Sequence, residues 1–398
     1  MVDPGTLATI LIACGASAFM AWTIGAGSSG STPFAPAVGA NAISIMRAGF
    51  FVGLFGFAGA VLQGANVSEA VGRELILGAT LSAEAAVVAL LVAGTLVAIG
   101  VFTGYPIATA FTVTGAVVGV GLALGGNPAW GKYLEITTLW VLTPFIGGGL
   151  AYATASLLRR DRVADRILVP GLAGLVGMII ANIELVFLGD GGSGDTIAGV
   201  IEALIGAGPI LGVDVIGILV TVALGLAFAG ALLADMADDV ERGERHFLLA
   251  LGALVAFSAG GSQVGLAIGP LLPLLDPFEV PLWGILVGGG AGLLIGSWTG
   301  APRMIKAISQ DYSSLGPRRS IAALIPSFII AQIAILYGIP VSFNEIIVSA
   351  VIGSGLAAGA GGVSRRKVGY TLLAWTGSLA LSLCLGYLGL WAILEITG

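Results

Sequence analysis

Two stretches rich in glycine and hydroxyl groups carry the residues best suited to chemistry in this chain. The first reads Gly25-Ala26-Gly27-Ser28-Ser29-Gly30-Ser31-Thr32-Pro33, and the second runs from Gly260-Gly261-Ser262-Gln263-Val264 to Ala267-Ile268-Gly269-Pro270. Glycine lets backbone N–H groups approach a guest closely, and hydroxyl and amide side chains donate hydrogen bonds without carrying charge. The positive end of a helix that starts there favours a negative guest. This is the composition of an anion cradle, with Gly27, Ser28, Ser29, Ser31, Thr32, Gly261, Ser262 and Gln263 as candidate donors. The same composition also serves close packing of helices, so both readings stay open at this level. A third candidate element holds Ser342, Asn344 and Glu345 just past Pro340, at the start of an apolar run. Ser342 and Asn344 offer further donors. A carboxylate inside a membrane is a functional hypothesis by default, because burial disfavours its charged form. Protonated on one side and released on the other, Glu345 would make a carrier a proton symporter; its bland alternative is an interfacial glutamate touching water. Glu84, which opens an apolar run, and Glu184 have weaker cases, and His246 follows a charged loop. One histidine cannot build an H-E-x-x-H zinc motif and no G-x-S-x-G elbow is present, so an enzyme is not expected. No cofactor or metal is implied.

The elements that must position these residues follow from composition. The chain has 398 residues, 57% of them hydrophobic and 10% charged, with a mean hydropathy of +1.05. Soluble proteins carry about 25% charged residues, so this is an all-α polytopic membrane protein embedded in a lipid bilayer. A net charge of −6 leaves no basic surface to hold a phosphate backbone, which argues against nucleic acid as a partner. Cys14 and Cys384 both lie in apolar segments and read as packing. Apolar runs long enough to cross about 30 Å of hydrocarbon fall near 7–24, 43–64, 82–102, 107–125, 138–158, 167–188, 210–233, 247–262, 281–300, 320–337, 343–360 and 370–394. These are about twelve transmembrane helices. Two further apolar pieces, 28–41 and 264–276, are interrupted by Pro33 and Pro36 and by Pro270 and Pro273, and read as broken or re-entrant. Thirteen of the 16 Lys and Arg fall on alternate loops: Arg159, Arg160, Arg162 and Arg166; Arg242 and Arg245; Arg303, Lys306, Arg318 and Arg319; Arg365, Arg366 and Lys367. The loop with Asp190 and Asp195 has none. Because short cytoplasmic loops retain positive charge, the expectation is a cell-membrane protein with both termini outside, Arg73 and Lys132 being the exceptions.

Self-similarity at one offset organises these elements. Nine of the 22 positions from Gly104 to Gly125 are identical to those from Gly338 to Gly359, an offset of 234, and the same offset pairs Gly27-Ser28 with Gly261-Ser262 and Pro36 with Pro270. The copies begin seven crossings apart, so the second enters the membrane from the opposite face. Two inverted-topology repeats, with broken helices meeting near the midplane, form the architecture in which secondary transporters bind substrate. The division expected is a first transport repeat at 1–158, a connection at 159–246 with two transmembrane helices, and a second, inverted transport repeat at 247–398.

On these motifs the chain resembles the inorganic phosphate transporter (PiT) family, whose repeated signature reads approximately GANDVAN and is followed in the second copy by AIGP. Ala267-Ile268-Gly269-Pro270 preserves that tail, Phe34 and Val38-Gly39 match the first copy, and Gly64-Ala65-Asn66-Val67 resembles the family's GAKV. The later GxPxSTTH and VGxxxGxGL element is matched in outline by residues 104–122 and 338–356. The resemblance covers most of the chain apart from 159–245. Three departures stand out. Ser28, Ser29 and Thr32 replace the asparagine and aspartate positions of the first motif, Ser262, Gln263 and Leu266 those of the second, and Phe111 and Glu345 stand at the histidine of STTH. That pattern is similar to the sulfate permeases that form a branch of the same superfamily. Phosphate near neutral pH can still donate a hydrogen bond to a carboxylate, whereas sulfate only accepts, so neutral donors suit sulfate without excluding phosphate. Loss of both carboxylates also removes the obvious sodium ligands, which makes a proton a better expectation than sodium for the coupling cation.

The expected function is therefore secondary active symport of an inorganic tetrahedral oxyanion by alternating access. Phosphate is the ion the family implies, a proton-coupled sulfate permease is the alternative, and an anion channel is the remote one, since no selectivity-filter run appears. Glu345 is the expected ion-coupling residue, and a homodimer is possible.

Overall fold

A computed structural model describes residues 4–159, 162–189, 194–206, 214–359 and 363–397. Arg160 and Asp190, used above to orient the loops, lie outside the described residues.

The chain is almost wholly helical, as its hydropathy requires: backbone groups in hydrocarbon must be paired within the segment. The first half comprises α1 (Pro4–Gly27), the short α2 (Ala35–Gly39), α3 (Ile45–Gln63), α4 (Ala65–Glu69) running into a π-turn at Ala70–Glu74, α5 (Ala83–Thr103), α6 (Thr109–Ala123) and α7 (Trp130–Leu158). A connection follows with α8 (Arg162–Ala181), α9 (Ile197–Ile205) and α10 (Val215–Asp238). The second half has α11 (Val240–Ile268), α12 (Leu272–Leu275), α13 (Leu282–Thr299), α14 (Ala301–Asp311), α15 (Pro317–Leu336), α16 (Phe343–Leu356) and α17 (Arg365–Thr397). Two-residue strands pair Ile76 with Pro128 and Leu77 with Asn127.

Nine helices of the described residues are long and apolar enough to cross a membrane: α1, α3, α5, α7, α10, α11, α13, α15 and α17. The α6 helix, the Arg166–Ala181 part of α8, and α16 are apolar but shorter. Every expected run falls on one of these helices, yet twelve full crossings are not reached. With 15 and 14 residues, α6 and α16 extend only about 22 and 21 Å at 1.5 Å per residue, short of the roughly 30 Å hydrocarbon core. Two starts are earlier than the hydropathy suggests. α7 begins at Trp130, ahead of the expected 138, and Pro144 lies inside it without ending it. The Asp239 side chain caps the Arg242 N–H at 3.1 Å, so α11 begins at Val240 within the charged loop.

The two proline-bearing pieces behave differently. The first breaks as expected: α1 stops at Gly27, a turn follows, and α2 starts with Pro36 in its first turn. The second breaks at Pro270, past its glycines. Gly260 to Ile268 stay helical in α11, and the change to a 3-10 turn comes at Gly269–Leu271. In α11 the proline sets the end, because a proline ends a helix just ahead of itself: Ile268 lies two residues before Pro270, whereas α1 ends six residues before Pro33, in the turn that Ser28, Ser31 and Thr32 close.

The packing pattern repeats at the 234-residue offset. The α5–α6 turn carries Gly104 at φ 75 and the α15–α16 turn carries Gly338 at φ 58, both in the left-handed region that favours glycine. Each turn is held by a tryptophan from the other half of the chain: Trp375 Nε1 donates to the Pro106 carbonyl and Trp140 Nε1 to the Pro340 carbonyl, both at 2.8 Å. Correspondingly α17 packs along α6 and α7 along α16, while α3 packs on α11 and α13 on α1. A Cβ at Gly119 would overlap the Leu383 carbonyl of α17, and one at Gly353 the Gly148 carbonyl of α7. The identical glycines at these two positions are thus where a partner helix crosses closest.

Four of the basic residues cap helix ends. Arg303 Nη1 donates to the Phe102 carbonyl at 2.7 Å, Lys367 Nζ to that of Gly104 at 3.4 Å, Arg318 Nη1 to that of Leu158 at 3.3 Å, and Arg159 to that of Ala357. Cations favour the negative C-terminal ends of helices. Arg73 and Lys132, the exceptions to the loop alternation, pair with acids instead: Arg73 with Glu69 and Asp276, Lys132 with Glu74 and Glu135.

Candidate functional site

The turn after α1 builds one wall. Ser28 N still reaches the Ile24 carbonyl at 2.8 Å, and the Ser28 carbonyl then accepts the N–H groups of Ser31 and Thr32, both at 3.0 Å. The hydroxyls of Ser31 and Thr32 also donate to that carbonyl, at 3.1 Å each. Those two hydroxyl protons are taken up in closing the turn. The turn presents Ser28 Oγ toward α11.

There Gln263 is the hub. Its Oε1 accepts from Thr109 Oγ1 at 2.7 Å and from Ser28 Oγ at 3.2 Å, and its Nε2 donates to the Val341 carbonyl. Ser28 and Thr109 hydroxyls stand 3.4 Å apart. One amide therefore ties together the end of α1, the start of α6 and the turn before α16. Asn344 does the reciprocal job, Nδ2 donating to the Gly27 carbonyl at 2.9 Å and to that of Ile107 at 2.6 Å. Ile107 and Val341 are equivalent at the 234-residue offset, so the same carbonyl in each turn is taken by an amide side chain.

On the same segments lie polar atoms that are buried and have no hydrogen-bond partner: the hydroxyls of Ser29, Ser262 and Ser342, and Oδ1 of Asn344. Ser29 is 2% exposed, and Ser262, Ser342 and Asn344 are 0%. Buried polar groups are nearly always hydrogen-bonded, since leaving one unmade costs about 1–3 kcal/mol; several together mark a place built for another partner. Two helix N-termini open here as well. Ala108 precedes α6 without a side-chain cap, and Ser342 precedes α16 without one. The first N–H groups of a helix have no acceptor within it, and they carry the positive end of the helix dipole.

Of the residues read from the sequence, Ser28, Gln263 and Asn344 are joined by hydrogen bonds through Gly27 and Thr109. Ser29, Ser262 and Ser342 are buried on the same three segments. Gly261 instead packs α11 on α3, since a Cβ there would press on Gln63. Thr109 was missed, although it stands within the GxPxSTTH-like element, three residues past Pro106. Glu345 is buried, 1% exposed, but faces a different space, a cavity of about 850 Å³ between α7 and α17 that also touches Phe111 and Trp140. Its Oε2 has no partner. The helical turn of about 100° between successive residues separates it from Asn344.

A further polar contact lies away from this lattice. Arg73 forks onto Asp276 at 2.8 and 2.9 Å and reaches Glu69 at 2.7 Å. The Asp276 hydrogen bonds, with Glu69 behind them, raise the already high pKa of the guanidinium. Arg245 Nε similarly reaches the Ala42 carbonyl at 3.1 Å. The loop after α2 and the turn after α12 are thus each held by an arginine from the opposite half.

A family model described as the phosphate transporter family matches residues 7–386. A chain of Thermococcus kodakarensis named as a phosphate permease is 28% identical, covering 94% of this chain and 94% of that one. The chloroplastic inorganic phosphate transporter 2-1 of Arabidopsis thaliana is 25% identical over 95% of this chain and 71% of its own length. A solved structure described as the sodium-dependent phosphate transporter superposes with a TM-score of 0.80 at 21% identity, covering 98% of this chain and 100% of that chain.

Proposed function

We propose, from the premise that this chain belongs to the phosphate transporter family, that it carries inorganic phosphate across a cell membrane, binding it where Ser28, Ser29, Thr109, Ser262, Gln263, Ser342 and Asn344 meet the starts of α6 and α16. The observation that carries this reading is the single amide of Gln263 joining Ser28, Thr109 and Val341, with buried donors without partners on the same segments. Every group there is neutral. A tetrahedral anion would be held by the unpartnered serine hydroxyls, backbone N–H groups and two helix dipoles, which is how discontinuous helices receive anionic substrates, while the free Asn344 Oδ1 can accept a hydrogen bond from a proton that phosphate still carries.

The transport cycle in this reading is alternating access between halves 1–158 and 247–398, related by inverted topology, with 159–246 as connection. Support comes from the reciprocal tryptophan bonds and the exchange of α7 and α17 between halves. The helix-end caps made by Arg159, Arg303, Arg318 and Lys367 support a common cytoplasmic face and external termini. Phosphate takes precedence over sulfate because the relatives are named for phosphate.

Glu345 is the carboxylate available for coupling. The solved neighbour is described as sodium-dependent, so sodium is tested beside the proton. In proteoliposomes loaded without phosphate, labelled phosphate uptake should saturate, show counterflow and respond to one imposed cation gradient. Glu345→Gln should abolish accumulation driven by that gradient and leave phosphate exchange. Linear, non-saturating flux would refute the carrier, sulfate outcompeting phosphate would replace the substrate, and unchanged accumulation in Glu345→Gln would remove its coupling role.

A further inference from the structure

The cavity of about 850 Å³ between α7 and α17 has a chemistry unlike that of the oxyanion cluster. Its wall is apolar and aromatic, with Phe111, Trp140, Phe145, Tyr152 and Trp375 among its lining, and one carboxylate, Glu345. No Lys or Arg is among its described lining residues. Phe111 and Trp140 are stacked with ring centroids 3.9 Å apart. Both indole N–H groups are already committed to proline carbonyls, so the rings offer the cavity only apolar surface and π-faces. Thr371, also on the wall, is occupied by the Tyr312 hydroxyl at 2.6 Å. The outer rim is open: Phe145 is 73% exposed and Tyr152 50%. In a membrane-spanning chain that rim faces lipid.

We infer that this cavity is a binding site for a lipophilic amine in its ammonium form, entering from the bilayer, with the ammonium against Glu345 and the hydrocarbon along the α7–α17 cleft. The volume lies within the range of small-molecule sites, which are mostly apolar with a few placed polar groups. Glu345 is buried and its Oε2 lacks a partner. A carboxylate inside a membrane is held by a proton or by a cation, and an ammonium supplies charge and N–H donors together. Aromatic faces favour the same class of guest. An acyl chain would satisfy the apolar wall but leave the carboxylate oxygen unmatched. The site spans the two helices that cross between halves, so an occupant would hold α7 and α17 together. It stands apart from the oxyanion donors and does not depend on the coupling role given to Glu345.

The test uses the full chain in nanodiscs and reads heats of binding, corrected against protein-free nanodiscs, for two probes of equal chain length, dodecylamine and dodecan-1-ol. The amine should bind the wild-type chain at least about tenfold more tightly than the alcohol, the ratio expected of one charge-assisted hydrogen bond. Glu345→Gln should bring the amine down to the alcohol's affinity. Equal binding of both probes to the wild-type chain would overturn the proposal and make the cleft a lipid-chain groove, a conclusion that needs no variant to fold. Amine binding unchanged in a folded Glu345→Gln chain, or no binding of either probe, would overturn it as well. Because the readout is binding, its failure is distinguishable from failure of the transport reading.

Discussion

Replacing Gln263 by leucine removes a side chain that makes three hydrogen bonds and keeps a similar volume. The Val341 carbonyl loses the Nε2 donor and stays buried, at a cost of about 1–3 kcal/mol. Ser28 and Thr109 lose their common acceptor, but their hydroxyls stand 3.4 Å apart and can pair with each other. The net loss there is nearer one hydrogen bond, about 1 kcal/mol. The sum is about 2–4 kcal/mol, large against a marginal fold and small enough for the chain still to insert. Gln263→Glu adds a charge to the same loss. Its carboxylate still accepts from Ser28 and Thr109 but has no N–H for the buried Val341 carbonyl, and it puts a negative charge where an anion must sit. The assay pairs the fraction of monodisperse protein surviving heating in detergent with labelled phosphate uptake in proteoliposomes. Gln263→Leu should lose both heat resistance and uptake. Gln263→Glu should lose uptake by at least about tenfold, equivalent to 1.4 kcal/mol, and lose heat resistance as well. If Gln263→Leu is as heat-resistant and active as the wild-type chain, the hub does not hold these segments together and the site is misplaced.

Alanine at Ser29, Ser262 or Ser342, whose hydroxyls lack partners, should weaken phosphate uptake with little thermal effect, whereas Ser31→Ala and Thr32→Ala should act on stability first; uptake kinetics read beside melting would contradict this if the order were reversed. Gly353→Leu should prevent folding, because even a Cβ overlaps the Gly148 carbonyl, and a monodisperse, active Gly353→Leu chain would show that α7 and α16 are not in contact. The Arg73–Asp276 pair has side chains 41% and 54% exposed, so a double-mutant cycle of Arg73→Ala with Asp276→Asn should give a coupling below about 1 kcal/mol; a coupling several times larger in thermal stability would place the pair in a buried setting.

Much of the candidate site was legible in one dimension. Hydropathy alone required a helical membrane protein, because a chain with 10% charged residues cannot cover a soluble surface. The 234-residue offset located the paired turns, because glycine and proline act on their own backbone wherever the chain goes, and Gly104 and Gly338 are both left-handed. The hydroxyl- and amide-rich stretches named Ser28, Gln263 and Asn344 for the same local reason. Only the tertiary structure decided what those groups touch. Gln263 meets residues 235 and 154 positions away, and Asn344 meets Gly27 across 317; such distances are set by how helices cross, which no local spacing encodes. Thr109 entered the site that way, while Ser31 and Thr32 were spent on their own turn. Glu345 was turned from the oxyanion donors by a single helical step, and α11 stayed whole through its glycines because its proline comes later. The sequence determined which groups are polar and where the backbone can bend; packing determined which of them face one another.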